Sequence, residues 1–214
     1  FPAHKIVVTG NPVREEVIKT ENKKQEALEY FGINDDKPVV LVLGGSLGAK
    51  TINESILRNI SHIQNEGINW IWQTGSLYFN DIRQKIEGKV LPNLIFVDFI
   101  NRMDLAYALA DVIVSRAGAC TISELCLVGK PVILVPSPNV AEDHQTKNAM
   151  ALVSKNAARL IPDYEAIEKL VPAAIELIKT KELSTTLGNN CLKMALRNAT
   201  SKIVDELFKL IPQR

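Results

Sequence analysis

The sequence predicts an α/β fold built on a parallel sheet, and three observations carry that prediction. Short apolar runs alternate with helical periodicity along the whole chain. Most of the runs are apolar at nearly every position, as strands must be when helices cover both faces of a sheet. Glycine-rich turns follow several of them directly. An alternating β-α order with right-handed crossovers gives a doubly wound, Rossmann-like domain.

The β-branched run at residues 5–9 is the first expected strand, and the uninterrupted Val39–Leu43 is the second. Further strands are expected at 70–73, 94–96, 112–115, 132–135 and 159–161. Between them, apolar residues at helical spacing predict helices over 23–30, 49–63, 77–86, 103–110, 121–128 and 143–153. Two longer helices, over 164–179 and 181–210, close the chain. No internal repeat or low-complexity linker interrupts the pattern, so all 214 residues are expected to form a single domain.

Composition narrows the function classes. Hydrophobic residues make up 46% and charged residues 23%, values of an ordinary globular protein. A formal charge of +1 with scattered Lys and Arg gives no footprint for nucleic acid or a polybasic membrane tail. Cys120, Cys126 and Cys191 are odd in number and lack CxxC spacing, which suits reduced thiols in a cytoplasmic protein. No transmembrane helix or signal peptide is evident. The chain opens Phe1-Pro2-Ala3-His4 without an initiator Met, which suggests an excised part of a longer protein.

In such a fold, ligands bind beyond the carboxyl ends of the strands, so the loops there should carry the chemistry. Thr9-Gly10-Asn11-Pro12-Val13-Arg14 ends in a guanidinium that can fork onto a phosphate or simply begin a surface helix. Gly44-Gly45-Ser46-Leu47-Gly48-Ala49 lies between a strand and a helix, where bare backbone amides can approach an anion. It is not a P-loop, because Ala49 separates Gly48 from Lys50, and it lacks the first glycine of a dinucleotide fingerprint. A third loop, Ser115-Arg116-Ala117-Gly118-Ala119-Cys120-Thr121-Ile122-Ser123-Glu124, repeats the plan with a cation at the strand end. Two such loops suit a diphosphate. Glu124 has two readings that spacing leaves open: a capping box with Thr121, or an acceptor for a ribose diol. In the fourth segment Asp143 is the expected N-cap, with His144 and Gln145 in the first helical turn. No zinc-ligand spacing and no nucleophile elbow are present.

Five of these strings together resemble the carboxy-terminal domain of the MurG family, the UDP-N-acetylglucosamine transferases of peptidoglycan synthesis. They are residues 9–14, 44–49, 115–124, 144–149 and the segment Phe99-Ile100-Asn101-Arg102-Met103-Asp104-Leu105-Ala106-Tyr107-Ala108. The likeness runs from about Val7 to the last helix, in the family's order and spacing. It implies the donor-binding, carboxy-terminal half of a two-domain GT-B glycosyltransferase. By that likeness Arg14 and Ser46 contact the diphosphate, and the amides of Ala119, Cys120 and Thr121 hold the phosphate nearest the ribose. Ile100 reads the uracil edge through its backbone, with Met103 packing nearby. Arg116 lies beside the nucleotide, Glu124 takes the ribose diol, and His144 and Gln145 hold the N-acetylglucosamine hydroxyls.

The resemblance further implies an inverting transfer to undecaprenyl-diphospho-N-acetylmuramyl-pentapeptide without a tightly bound metal or other cofactor. The acceptor site, the catalytic base and most of the membrane contact then belong to an amino-terminal domain, and no catalytic residue is assigned here. The whole enzyme would sit on the cytoplasmic face of the bacterial inner membrane. The apolar face of residues 195–210 (Ile203, Val204, Leu207, Phe208 and Leu210) is expected to pack on that second domain. The competing readings are a UDP-N-acetylglucosamine 2-epimerase-like enzyme, a non-catalytic UDP-sugar-binding module and, more remotely, a P-loop nucleotidase.

Overall fold

In the computed structural model, which describes residues 2–211, six strands form one parallel sheet. They are β1 (Val39–Leu43), β2 (Asn69–Gln73), β3 (Leu94–Val97), β4 (Val112–Ser115), β5 (Val132–Leu134) and β6 (Arg159–Leu160). Their order, β3-β2-β1-β4-β5-β6, reverses between β1 and β4. That reversal opens the crevice in which a doubly wound sheet binds its ligand. Leu43 pairs with Ser115, so the loops after β1 and β4 leave the sheet side by side.

Both faces of the sheet are covered, which explains the uninterrupted apolar strands. In β1, Val40 and Val42 enter one core, while Val39, Leu41 and Leu43 enter the other. The first core holds α3 (Lys50–Arg58), α4 (Ile60–Asn65), α5 (Phe79–Lys85) and α9 (Ala166–Lys179) against the sheet. The second holds α2 (Lys24–Phe31), α6 (Met103–Leu109), α7 (Ala119–Val128), α8 (His144–Val153) and α10 (Lys181–Lys193). Each buried Val, Leu or Ile contributes roughly 1.5–3 kcal/mol, so a strand that changed faces would lose several at once. A short α1 (Glu15–Ile18) adds Val17 to the second core, and a terminal α11 (Ala199–Leu210) contributes no residue to either core.

Three expected elements are corrected. Residues 5–9 do not form a strand: a 3-10 turn covers Ala3–Lys5, and Ile6, Val7 and Val8 continue with most of their surface exposed, Val8 to 76%. β-propensity alone does not make a strand, and this segment pairs with none of the six. The helix expected over 49–63 is two, because Asn59 turns its amide onto the carbonyls of Ser55 (2.9 Å) and Ile167 (3.2 Å). The helix expected over 181–210 also breaks, and α11 starts only at Ala199, after Asn198 in the left-handed region (φ 61°).

Candidate functional site

The loop after β1 is folded against the loop after β2, and only glycine permits the approach. A Cβ on Gly75 (φ +81°) would lie 2.1 Å from the Gly48 nitrogen, and one on Gly48 (φ +95°) would lie 2.3 Å from the Thr74 carbonyl oxygen. Asn53, buried in α3, fixes this junction by donating to that carbonyl (2.8 Å) while accepting from Trp72 Nε1 (2.9 Å). Ser76 donates to the Ser46 carbonyl through both its backbone N (3.0 Å) and Oγ (3.2 Å). Ser46 therefore stands exposed at the tip of a braced turn, just ahead of α3.

The loop after β4 leads straight into α7. Gly118 is the N-cap, and the first helical bond runs from Ile122 N to Gly118 O (2.9 Å). The amides of Ala119, Cys120 and Thr121 thus have no acceptor among the described residues, and Ala119 and Cys120 are exposed. This start overturns the capping box: Thr121 lies three residues inside the helix, so Glu124 cannot reach back to a cap. Glu124 instead accepts from the Tyr107 hydroxyl (3.2 Å). Burial pushes its carboxyl above the ordinary value, opposed by the Tyr107 hydrogen bond and the positive charge of Arg14. Arg14 is exposed at the N-cap of α1. Its loop is held to α7 by Asn11 Nδ2, which donates to the Ala119 carbonyl (3.3 Å) and Ser123 Oγ (2.9 Å).

Arg116 has a definite partner set. Its Nη1 donates to Asp163 Oδ1 (2.5 Å) and to the carbonyls of Val135 (3.1 Å) and Pro136 (3.2 Å). Asp163 also accepts from Thr51 Oγ1 (2.8 Å) in the first turn of α3. Asp163 therefore ties the loop after β4 to the start of α3, while Arg116 itself reaches the end of β5 and acts as a brace. Gln145 repeats the theme: its Oε1 accepts from the amides of Ala117 (3.2 Å) and Ser137 (2.9 Å). Its Nε2 has no protein partner among the described residues.

His144 opens α8, exposed, and its Nδ1 donates to the Ala141 carbonyl (2.9 Å), which leaves Nε2 as the outward acceptor of the neutral ring. Asp143 occupies the expected N-cap position, but its backbone is left-handed (φ 50°) and its side chain makes no capping bond. Glu142 shares the left-handed conformation (φ 55°), and strain of this kind concentrates at ligand-binding segments. Ile100 is buried, and Gln73 Oε1 accepts its N–H (3.2 Å). Its carbonyl has no partner among the described residues. Met103, partly buried, begins α6 and packs on the second core.

The fold thus brings nearly all the expected residues to one edge: Ser46 on the loop after β1, Ile100 and Met103 after β3, and Arg116, Ala119, Cys120, Thr121 and Glu124 after β4. His144 and Gln145 follow β5, and Arg14 reaches in from the amino-terminal segment. Sequence reasoning missed Asn11, Tyr107 and Asp163. Asn11 and Tyr107 lay inside quoted strings without a role of their own. Asp163 lies beyond the last strand with no motif around it. The arrangement offers free amides at a helix start, an acceptor carboxylate and an amide side chain, a set suited to an anionic, hydroxyl-rich ligand. Among the described residues, no group of three or more His, Cys, Asp or Glu is placed to hold a metal ion. Nor is any described helix long and apolar enough to cross a membrane.

Known proteins share this architecture. Over its full 214 residues the chain is 50% identical to the UDP-N-acetylglucosamine--N-acetylmuramyl-(pentapeptide) pyrophosphoryl-undecaprenol N-acetylglucosamine transferase of Parabacteroides distasonis, and it spans 58% of that protein's length. Among solved structures, Acinetobacter baumannii MurG superposes with a TM-score of 0.70 at 28% identity, over 93% of this chain and 57% of its own. A Neisseria meningitidis UDP-GlcNAc 2-epimerase bound to UDP-GlcNAc shares the fold (TM-score 0.64, 20% identity, 98% of this chain and 56% of its own). With residues 39–204 matched by the model of the glycosyltransferase family 28 C-terminal domain, the chain belongs to that family.

Proposed function

We propose that this chain is the UDP-N-acetylglucosamine-binding part of the glycosyltransferase that completes the disaccharide of the lipid-linked peptidoglycan precursor. The observation that carries the reading is the bare start of α7. Three free amides there are flanked by Glu124 on the same helix and Gln145 on the next. In this reading the amides of Ala119, Cys120 and Thr121 hold the diphosphate, with Ser46 and Arg14 at its far side. Glu124 accepts from the ribose diol, the Ile100 carbonyl accepts from the uracil N3–H, and Gln145 Nε2 and His144 address the sugar hydroxyls. Arg116 supports these loops from behind.

An inverting displacement needs a base on the acceptor hydroxyl, a positioned sugar, and stabilisation of the charge that builds on departing UDP. The chain supplies the last two: oriented amides and a helix dipole face the leaving group. The base, the undecaprenyl-linked acceptor and the contact with the cytoplasmic face of the membrane are assigned to a second domain. The apolar side of α11, with Phe208 67% and Leu210 79% exposed, would be covered by it. Trypsin should therefore cut within α11 in this chain, and full protection of the helix would count against that packing.

Calorimetric titration with UDP, UDP-N-acetylglucosamine and ATP tests the central claim. Both uridine ligands should bind, and ATP should bind far more weakly. Tighter binding of ATP would overturn the assignment.

A further inference from the structure

Tyr107 lies on α6 with 1% of its surface exposed, inside the second core, and its hydroxyl donates to Glu124 Oε2. No other group among the described residues donates to that carboxylate. A phenol buried to this extent needs an acceptor, and a carboxylate has about four lone-pair sites on its two oxygens. The bond uses one site on Oε2 and leaves Oε1 free. It also fixes the plane of a side chain that is otherwise held only by its own helix. Charged neighbours reach Glu124 from one other element, through Arg14 at the start of α1.

We propose that Tyr107 is a positioning residue for ribose recognition: by holding Oε2 it orients Glu124 so that the carboxylate meets two adjacent hydroxyls of a nucleoside sugar. The inference rests on the reading of Glu124 as the ribose acceptor. Tyr107 touches no ligand itself. It acts by favouring the ionised form of the carboxylate and by fixing its rotamer, so the preference for ribose over deoxyribose should weaken when the bond is removed.

The variants Tyr107→Phe and Glu124→Gln in the full chain separate the possibilities. Tyr107→Phe keeps the ring in the core and removes only the hydroxyl. UDP-N-acetylglucosamine is the probe for pH profiles between about pH 5 and about pH 8, because its diphosphate diester does not titrate there. Any contribution from His144 is common to all variants. Tyr107→Phe should weaken binding roughly fivefold, less than the tenfold or more of a directly lost hydrogen bond to a charged group, because the hydroxyl acts only through Glu124. It should also raise the midpoint of the acid limb, since the bond favours the ionised carboxylate, and reduce the preference for UDP over 2′-deoxy-UDP. Glu124→Gln should weaken binding and remove the part of the acid limb that Tyr107→Phe displaces. If Glu124→Gln weakens binding while Tyr107→Phe leaves the midpoint and the ribose preference unchanged, the positioning role is overturned, whatever the affinity does. If Glu124→Gln binds like the unmodified chain, the ribose assignment itself fails and the inference goes with it.

Discussion

The two ends of the sheet make opposite use of their polar groups. The amino-terminal edge carries a groove of about 610 Å³, lined by Lys24, Asp35, Asp36, Lys37, Asp111 and Lys130 among others. Much of its charge is already spoken for. Lys24 pairs with Asp36 (3.2 Å) and Lys37 with Asp35 (2.7 Å), while Asp111 accepts from Val39 N (2.8 Å). Asp35 also accepts from Asn69 (2.6 Å), and the hydrogen bonds from Lys37 and Asn69 hold its carboxyl below the usual range. Among the described residues, the carboxyl-terminal edge keeps free amides at α7, an open oxygen on Glu124 and an unpartnered Nε2 on Gln145, on a framework braced from beneath. Concavity alone does not point to the carboxyl-terminal edge. Polar groups left without partners on a rigid support make the carboxyl-terminal edge the candidate site.

Glycine substitutions give the sharpest contrast between the edges. Gly75→Ala must move the Gly48 backbone, 2.1 Å from the new Cβ, in a left-handed conformation that L-residues avoid. Overpacking and the left-handed backbone together should cost about 3 kcal/mol or more, and donor binding should be lost with the turn. Gly67→Ala, at the amino-terminal edge, meets nothing within 4 Å. It should cost only about 1–2 kcal/mol, from the backbone alone, and leave binding intact. Urea denaturation with parallel titration of UDP measures both, and equal losses would show that the turn after β1 is not specially packed.

Smaller effects follow along the carboxyl-terminal edge. Glu124→Ala should weaken UDP and UDP-N-acetylglucosamine about 30-fold by removing hydrogen bonds to a charged acceptor. Gln145→Ala should weaken the sugar nucleotide about tenfold, through loss of a sugar contact. The same variant should weaken UDP only about threefold. That residual loss is expected because Gln145 Oε1 also ties Ala117 to Ser137 beneath the phosphate loop. A variant that weakened both ligands equally would make Gln145 a brace like Arg116.

What the sequence revealed follows the same division. Strands such as Val39–Leu43 were legible because burial on both faces demands apolar residues at every position. Loop placement then followed from topology, since strand ends in a doubly wound sheet converge. Residues 5–9 misled because their composition is that of a strand while pairing depends on a neighbour that composition does not record. Glu124 stayed ambiguous because Thr121 and Glu124 have capping-box spacing, and only the actual helix start at Ala119 separates the readings. The role of Asp163 was invisible: it sits 47 residues from Arg116 and 112 from Thr51, and no local pattern marks a contact made across the fold. Contacts within one loop leave a spacing in the sequence, whereas contacts between loops leave none.

The smallest predicted effect is the one that would most damage the comparison if it failed. Lys24→Ala removes a cation from the amino-terminal groove, where its pair with Asp36 is largely solvent-exposed. Exposed pairs of this kind contribute little to stability. The five residues of β1, at about 3.3 Å each, also place the groove about 16 Å from the α7 amides, beyond the screening length of about 8 Å at physiological salt. UDP-N-acetylglucosamine affinity should therefore change less than twofold, and the urea midpoint should not move measurably. A tenfold loss of affinity would mean that the two edges are coupled through the sheet, and the division between a satisfied edge and an open one would have to be abandoned.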